Sequence, residues 1–237
     1  MAKGDRPLYA VLIDADNIPA QYAEAVLKEI TSFGEPALRR VYGDWASSRL
    51  DKCTSKIRDL GLVAHQETAN TKGKNASDIG LVIDAMDILH TGRFDGFVLV
   101  SSDSDFTRLA SRIREEGLDV IGIGEKKTPD ALKNVCNRFV FIENLIRESD
   151  GKTEAKAEGS KTDDPTKAIP LIQAAMERID SEDDWYPLGP LGQHIVAEHP
   201  DFDTRSYGEK KLSDLVKKLK RFEIKRQSNQ LMVRRLD

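Results

Sequence analysis

The chain has 237 residues, is 39% hydrophobic and carries a formal net charge of −4. It is long enough to bury one or two hydrophobic cores, and no apolar run approaches the ~18 residues that cross a bilayer, which argues against a membrane protein. The first residues also lack the apolar core of a secretory signal, so we expect a cytoplasmic protein with no membrane partner.

Strand and helix patterns alternate along residues 1–147. Strands are predicted in the segments YAVLID, ALRRVYG, LVAHQE, GFVLVSS and DVIGIG, and helices in PAQYAEAVLKEITSF, SSRLDKCTSKIRDL, ASDIGLVIDAMDILH and DFTRLASRIREE. Residues 129–136 and 138–145 close the region with less regular patterns. Repeated strand–helix units are typical of an α/β fold with a mainly parallel sheet and helices on both faces.

The third of these helices, residues 76–90, has apolar residues at helical spacing, and Gly92 lies just beyond its end. Asp78 falls in its first turn. We predict that the buried stripe of this helix consists of Ile79, Val82, Ile83, Met86 and Leu89.

The segment ESDGKTEAKAEGSKTDDPTK, residues 148–167, has no apolar periodicity and consists mainly of small, polar and charged residues. Such a composition is typical of a flexible linker. We therefore predict three parts: a first domain over residues 1–147, the linker over 148–167 and a second domain over 168–237.

The second domain is predicted to contain three helices followed by a hairpin. Apolar residues from Ile169 to Ile179 at helical spacing indicate the first helix, a Gly-Pro step leads into the second, and TRSYGEKKLSDLVKKLKRF contains the third. The segment FEIKRQSNQLMVRRL alternates apolar and polar residues around Ser228-Asn229, a pair typical of a hairpin turn. This order predicts a small winged-helix domain.

Basic residues dominate the end of the second domain. From Arg205 to Arg235 there are 11 basic residues against 3 acidic ones, a local excess of +8. Such an excess is typical of a surface that faces phosphate groups, although a solvated helix face can have the same composition.

Acidic residues gather where the predicted strands of the first domain end. In parallel sheets the functional site lies beyond the carboxyl ends of the strands. The polar residues expected at this edge are Asp14, Asp16 and Asn17 after the first strand, Asp103 and Asp105 after the fourth, and Asp78 in the helix that follows the third.

Each acid alone is explained as a helix cap or a first-turn charge, worth about 0.3–1 kcal/mol. A convergent set is harder to explain, because two carboxylates about 4 Å apart repel by about 4 kcal/mol at an effective dielectric constant of about 20. Such a set needs a proton or a cation. Oxygen ligands without His or Cys suit Mg²⁺ or Mn²⁺, and a cation of this kind supports phosphodiester hydrolysis.

Three motifs carry a family resemblance. The segments LIDADN, KGKNASDIGLVIDA and LVSSDSDFTRLASRIREEGLDVIGIG resemble the NYN domain, the PIN-like ribonuclease family that includes the LabA-like proteins, over about residues 8–145. The resemblance implies a PIN-like α/β fold that cuts RNA with bound Mg²⁺ or Mn²⁺. It also implies a catalytic set of metal ligands, which is Asp14, Asp78, Asp103 and Asp105.

Other residues of the first domain are auxiliary candidates. Asn17 is expected to steady the first loop or contact a phosphate, and Asp16 is either a further ligand or a helix cap. Asp84 lies within the family-like segment but about 600° of helix rotation from Asp78, so it need not face the metal. Two lysines near the rim, in the loop before residue 76, are candidate RNA contacts; these are Lys72 and Lys74.

Residues 168–237 are similar to the LOTUS domain, also called OST-HTH, through PLGPLGQHI, FDTRSYGEKKLSDLV and FEIKRQSNQLMVRRL. This resemblance implies binding of RNA, single-stranded or structured, or of a protein partner. The candidate RNA contacts in the third helix and the hairpin are Lys210, Lys211, Lys217, Lys218, Arg221, Lys225 and Arg226.

The preferred hypothesis is therefore a metal-dependent endoribonuclease with a C-terminal RNA-binding domain. A non-catalytic RNA-binding or adaptor protein with a vestigial acidic site is the alternative. A phosphatase of the haloacid dehalogenase type is disfavoured, because the residue after Asp16-Asn17 is Ile18 and the threonine usual in that family is missing.

Overall fold

A computed structural model of the chain describes residues 6–17, 22–45, 54–66, 76–149, 162–181, 183–227 and 229–236. The chain divides into two compact units, Met1–Lys152 and Thr153–Asp237. None of the helices within the described ranges is long and apolar enough to cross a membrane.

A six-stranded sheet forms the centre of the first unit, and all of its strand pairs are parallel. Its strands are β1 (Leu8–Asp14), β2 (Glu35–Gly43), β3 (Val63–Gln66), β4 (Gly96–Val100), β5 (Asp119–Gly124) and β6 (Arg138–Phe141). Its helices are α1 (Ala23–Phe33), α2 (Thr54–Asp59), α3 (Ala76–His90), α4 (Thr107–Glu115), α5 (Asp130–Val135) and α6 (Ile142–Ser149). The predicted α/β fold class is confirmed.

The strand order β3-β2-β1-β4-β5-β6 places β1 and β4 side by side at the middle of the sheet. From β1, the strands β2 and β3 extend the sheet toward one edge. The chain then returns to the middle of the sheet, where β4 lies beside β1, and β5 and β6 extend the sheet toward the other edge. Ile13 of β1 is paired with Val100 of β4, so these two strands end at the same level. Ligand sites of open α/β sheets lie at such a switch point.

Both faces of the sheet are covered, which explains the nearly continuous apolar composition of the central strands. On one face, β1 packs with α1, α2 and α6 through residues such as Val11, Ile30 and Leu145. On the other face, Leu12 and Phe97 pack with α3, α4 and α5. Asp14 has the same parity as Leu12, so its side chain belongs to the face that α3 covers.

The stripe predicted for α3 is correct at Leu89 but wrong at Ile79 and Ile83. The residues that α3 buries against the sheet are Leu81, Ala85, Ile88 and Leu89. Ile79 and Ile83 are instead 61% and 59% exposed, and Val82 and Met86 are only partly buried. Apolar residues lie on several sides of this helix, so their periodicity does not select one buried face.

The second unit has its own core, formed by helices α7 (Ala168–Met176), α8 (Leu188–Glu198) and α9 (Leu212–Lys218) with a small sheet. The sheet order is β7-β9-β8, and its strands are β7 (Tyr186–Pro187), β8 (Phe222–Gln227) and β9 (Gln230–Arg235). β8 and β9 pair antiparallel up to Gln227 and Gln230, as predicted for a hairpin. The order of three helices and a hairpin agrees with the sequence, which missed β7 and the separate 3-10 helix Thr204–Tyr207 before α9.

The predicted linker is structured at both ends. α6 continues to Ser149, and Pro165–Lys167 forms a 3-10 helix. The backbone N–H of Asp163 donates to the carbonyl of Ser206 at 2.9 Å, which ties residues before 168 to the second unit. The remaining linker residues, 150–161, lie outside the described ranges.

A substitution at Gly122 in β5 tests how closely the sheet packs against the end of α5. A Cβ atom at this position would overlap the ring of Phe139 and lie 2.9 Å from Sγ of Cys136. We expect Gly122→Ala to lower the free energy of unfolding by about 1–3 kcal/mol, because the packed core cannot accommodate an added methyl group without strain. Urea unfolding followed by circular dichroism measures this change.

The control is Gly189→Ala in α8, where an added Cβ atom meets no described atom within 4 Å. It should leave the stability unchanged or raise it slightly, because alanine favours helix. Equal effects of the two substitutions would contradict the packing described for β5.

Candidate active site

Asp14, the last residue of β1, is only 1% exposed and is held by four hydrogen-bond donors. Oδ1 accepts from the backbone N–H groups of Asp16 at 3.0 Å and Asn17 at 3.3 Å. Oδ2 accepts from the hydroxyl of Ser101 at 2.9 Å and from the side-chain amide of Asn17. A carboxylate has about four acceptor positions, and these four donors hold that of Asp14 in one orientation.

Ser101, immediately after β4, connects Asp14 to the loop that carries the other acids. Its hydroxyl donates to Asp14 and also accepts from the backbone N–H of Asp103 at 3.1 Å. Oδ1 of Asp103 accepts from the backbone N–H of Asp105 at 2.9 Å and thereby caps the 3-10 helix Ser104–Phe106. Asp103 is half-buried and Asp105 is exposed.

Asp78 and Asp16 bring the start of α3 to the same edge of the sheet. The hydroxyl of Ser77 donates to Oδ2 of Asp16 at 2.9 Å, which joins the first turn of α3 to the loop after β1. Asp78 follows directly and is partly buried. Three chain segments that are distant in sequence therefore supply acids to one rim.

The pKa of Asp78 shows how strongly these acids interact. Burial raises the pKa of Asp78, and the negative charges of Asp14, Asp103, Asp16 and Asp105 raise it further, to about 6. Burial also raises the pKa of Asp14, although the hydrogen bonds from Asn17, Ser101 and Asp16 oppose that rise. The cluster consequently carries unbalanced negative charge at neutral pH.

The donor set of this cluster fits a hydrated divalent cation. Among the described residues, no three His, Cys, Asp or Glu side chains lie close enough together to enclose one cation as they stand. The mutual repulsion at Asp78 nevertheless shows that the carboxylates lie within electrostatic range of one another. Mg²⁺ keeps several waters and is bound directly by only one or two carboxylates, so such an arrangement suits it.

The auxiliary candidates have clear partners. Asn17 donates twice to Asp14, once from its backbone N–H and once from its side-chain amide. Asp84, by contrast, accepts from the guanidinium of Arg40 and from the hydroxyl of Tyr42, both in β2. Burial raises the pKa of Asp84, but the hydrogen bonds from Arg40 and Tyr42 and the charge of Arg40 outweigh burial and lower it. Asp84 therefore joins α3 to the sheet.

Sequence reasoning missed two residues of the rim, Ser77 and Ser101. Each stands directly before or near a candidate acid, in the segments NASD and VSSDSD. For Ser101, the position between a buried strand and an acid is a usable signal, because a buried hydroxyl must find a partner and a carboxylate accepts strongly.

The candidate RNA contacts of the second unit are mostly exposed. Lys210, Lys211, Lys217 and Arg221 lie on the surface around α9. The remaining three are Arg226, which is exposed, Lys218, which pairs with Glu209 at 2.8 Å, and Lys225, which lies over the ring of Trp185 at 3.9 Å. Lys72 and Lys74 lie outside the described residues.

Family comparison divides the chain at the same place as its structure. The family model of the NYN domain matches residues 9–143, and that of the OST-HTH/LOTUS domain matches residues 160–233. Among proteins of curated function, none matches this chain.

Two solved structures are similar to parts of the chain. The crystal structure of a protein of unknown function from Vibrio parahaemolyticus RIMD 2210633 is 21% identical with a TM-score of 0.50, and the match covers 60% of this chain and 96% of that one. A solution structure of an uncharacterized protein from Nitrosomonas europaea is 32% identical with a TM-score of 0.29, over 36% of this chain and 86% of that one. The first similarity supports the fold.

Replacing Asp78 should stabilise the protein in the absence of metal. A carboxyl whose pKa rises from 3.8 to about 6 on folding destabilises the folded state above pH 6, and protonation removes that penalty as the pH falls toward 4. We expect Asp78→Asn to raise the free energy of unfolding at pH 7 by about 1 kcal/mol, after allowance for solvent screening of a partly exposed group.

Urea unfolding in a chelator at pH 7 and at pH 5 measures this effect, and the difference between variant and parent should shrink at pH 5. Asp87→Asn, at an exposed position of the same helix, is the control and should change stability little at either pH. A pH-independent difference would show that the acids do not repel Asp78.

Proposed function

Because the chain belongs to the NYN domain family and carries an OST-HTH/LOTUS domain after it, we propose that it is a divalent-metal-dependent endoribonuclease with a C-terminal RNA-binding domain. The observation that carries this proposal is the acidic rim at the ends of β1 and β4, where burial and the charges of four other carboxylates together raise the pKa of Asp78 to about 6. Such a density of negative charge is costly unless it serves to hold a cation.

Asp14, Asp78, Asp103 and Asp105 are the residues that would hold Mg²⁺ or Mn²⁺. When bound, the cation would polarise the scissile phosphate and lower the pKa of a coordinated water that attacks it. The hydrogen bonds from Ser101 and Asn17 hold Asp14 in one orientation, while the capping bond from Asp105 to Asp103 fixes the loop after β4. These contacts support a site whose geometry exists before RNA binds.

The second domain would supply affinity for RNA. OST-HTH/LOTUS domains bind RNA, and this domain exposes Lys210, Lys211, Lys217 and Arg221 around α9. These cations belong to a chain whose net charge is −4, so the attraction for phosphate is local to this domain. Contacts of this kind neutralise phosphates without reading the base sequence.

Cleavage should depend on the acids that come from different strands. We expect Asp14→Asn and Asp103→Asn to lower the rate of Mg²⁺- or Mn²⁺-dependent RNA cleavage at least about 100-fold, since loss of a mere outer-shell partner costs about 10–100-fold. Single-stranded RNA labelled internally and at one end measures the rate and separates internal cuts from trimming. Addition of a chelator should abolish the reaction.

The control variant is Asp119→Asn, because Asp119 is an exposed acid at the amino end of β5, on the opposite edge of the sheet. It should cleave at the parental rate. Cleavage that survives both Asp14→Asn and Asp103→Asn would contradict the assigned site. Tight RNA binding by the parent without any cleavage would favour the adaptor function instead.

RNA affinity should depend on the basic surface around α9. We expect the combined substitution of Lys210, Lys211, Lys217 and Arg221 by glutamine to weaken RNA binding and to flatten its salt dependence. Contacts with about 4 phosphates of a single strand give a slope of about −3 in a plot of log affinity against log salt concentration. Fluorescence anisotropy at several salt concentrations measures both quantities.

Arg178→Gln is the matched control, since Arg178 is exposed in the same domain but pairs with Glu198 at 2.9 Å. It should leave the slope unchanged. If the quadruple variant binds RNA with the affinity of the parent and the same dependence on salt concentration, the basic surface serves a protein partner rather than RNA.

A further inference from the structure

Arg40, Tyr42 and Asp84 form a polar triad between β2 and α3. The guanidinium of Arg40 donates to Oδ1 of Asp84, and the hydroxyl of Tyr42 donates to Oδ2. Arg40 and Tyr42 are two residues apart in β2, so both project from the face that α3 covers. Tyr42 is 1% exposed, and the side chains of Arg40 and Asp84 are 28% and 21% exposed. The triad is therefore largely enclosed.

The hydrophobic residues of α3 give only a weak preference for the side that faces the sheet, because apolar residues lie on several sides of the helix. Leu81 and Ala85 are buried, whereas Ile79 and Ile83 are exposed. The two pairs differ by two residues, or about 200° of helix rotation, so they lie on nearly opposite sides. Burial of the isoleucine pair would yield at least as much apolar transfer free energy as burial of the leucine–alanine pair. Ile88 and Leu89 add to the preference for the observed side, and a directional interaction would strengthen that preference.

The same triad lies between two acids of the candidate site. Tyr42 is the register partner of Asp14 in the sheet, and its carbonyl accepts from the backbone N–H of Ala15 at 2.9 Å. Asp84 is six residues after Asp78 on one helix, a rise of about 9 Å. A contact between Tyr42 and Asp84 consequently joins the strand that positions Asp14 to the helix that positions Asp78.

The geometry points to the Arg40–Tyr42–Asp84 triad as the device that selects the rotation of α3 and so keeps Asp78 among the acids of the rim. These three are positioning residues, because they act through Asp78. A pair of donors on two different oxygens fixes orientation more strictly than apolar contacts, which are non-directional. Only the consequence for cleavage rests on the proposed function, since the orientation of α3 can be measured without RNA.

The reactivity of a single cysteine introduced in place of Ile83 or Ala85 measures the orientation of α3. In the parent fold a thiol at position 83 is exposed and a thiol at position 85 is buried. The test combines each reporter, Ile83→Cys or Ala85→Cys, with Arg40→Gln and Tyr42→Phe in the full chain. Reaction with a chromophoric disulfide is measured after subtraction of the background from the two native cysteines, Cys53 and Cys136, which is recorded on the same variant without the reporter.

We expect loss of the triad to raise the reaction rate at position 85 at least about tenfold and to lower the rate at position 83, because the helix then samples other rotations. Binding of Mn²⁺, measured by calorimetry, should weaken by about 10–100-fold, as for the loss of outer-shell partners. In the cleavage assay kcat should fall while KM stays constant, since RNA contacts are not changed.

Arg39→Gln is the matched control. Arg39 is the neighbour of Arg40 in β2 but donates to the carbonyls of Pro36 and Leu60, away from Asp84. It should leave both thiol rates and Mn²⁺ binding unchanged. If the double variant does not fold, Tyr42→Phe alone, which removes a single hydroxyl, should give changes of the same sign and smaller size.

Thiol rates that do not change on loss of the triad, or that change equally with Arg39→Gln, would overturn the inference. Changed thiol rates with unchanged Mn²⁺ binding would overturn its second half, the positioning of Asp78. If the parent binds Mn²⁺ and shows the expected thiol changes but cuts no RNA, the proposed function fails while the inference stands.

Discussion

Repulsion between carboxylates is the constraint on which the first domain depends. Five aspartates from three chain segments share one edge of the sheet, and burial together with the charges of the other four raises the pKa of Asp78 to about 6. The fold offsets part of this cost locally, because Asp14 accepts four hydrogen bonds and Asp103 caps the helix that follows it. An excess of negative charge nevertheless remains at the rim, and a bound cation would balance it.

The sheet explains why these acids meet at all. Parallel strands that start from the same side deliver their carboxyl ends to one edge, and the reversal of strand order between β1 and β4 leaves space there. Burial of the strands between two helical layers makes this arrangement rigid. The capping and catalytic interpretations of Asp103 are therefore compatible, since one oxygen caps Asp105 while the side chain stays at the rim.

The two domains carry local charge of opposite sign in different environments. The first concentrates negative charge in a partly buried site, where a cation gains the most from low solvent exposure. The second spreads positive charge over exposed side chains around α9, where solvent screening keeps the mutual repulsion small. The core of the second domain is formed by apolar residues, which include Ile172, Leu191 and Leu215, and not by these exposed cations.

Much of this protein follows from the sequence by itself. Alternating apolar runs and helical patterns determined the α/β class, the order of elements and the edge at which Asp14, Asp78 and Asp103 lie, because strand ends in a parallel sheet share one side. The rotation of α3 did not follow, since Ile79 and Ile83 compete with Leu81 and Ala85 for burial. Nor did the hydrogen bonds of Ser77 and Ser101, or the contact of Asp84 with Arg40 and Tyr42. Asp84 lies 44 residues after Arg40 and 42 residues after Tyr42 in the sequence. Only the packed tertiary structure brings such distant side chains within hydrogen-bonding distance.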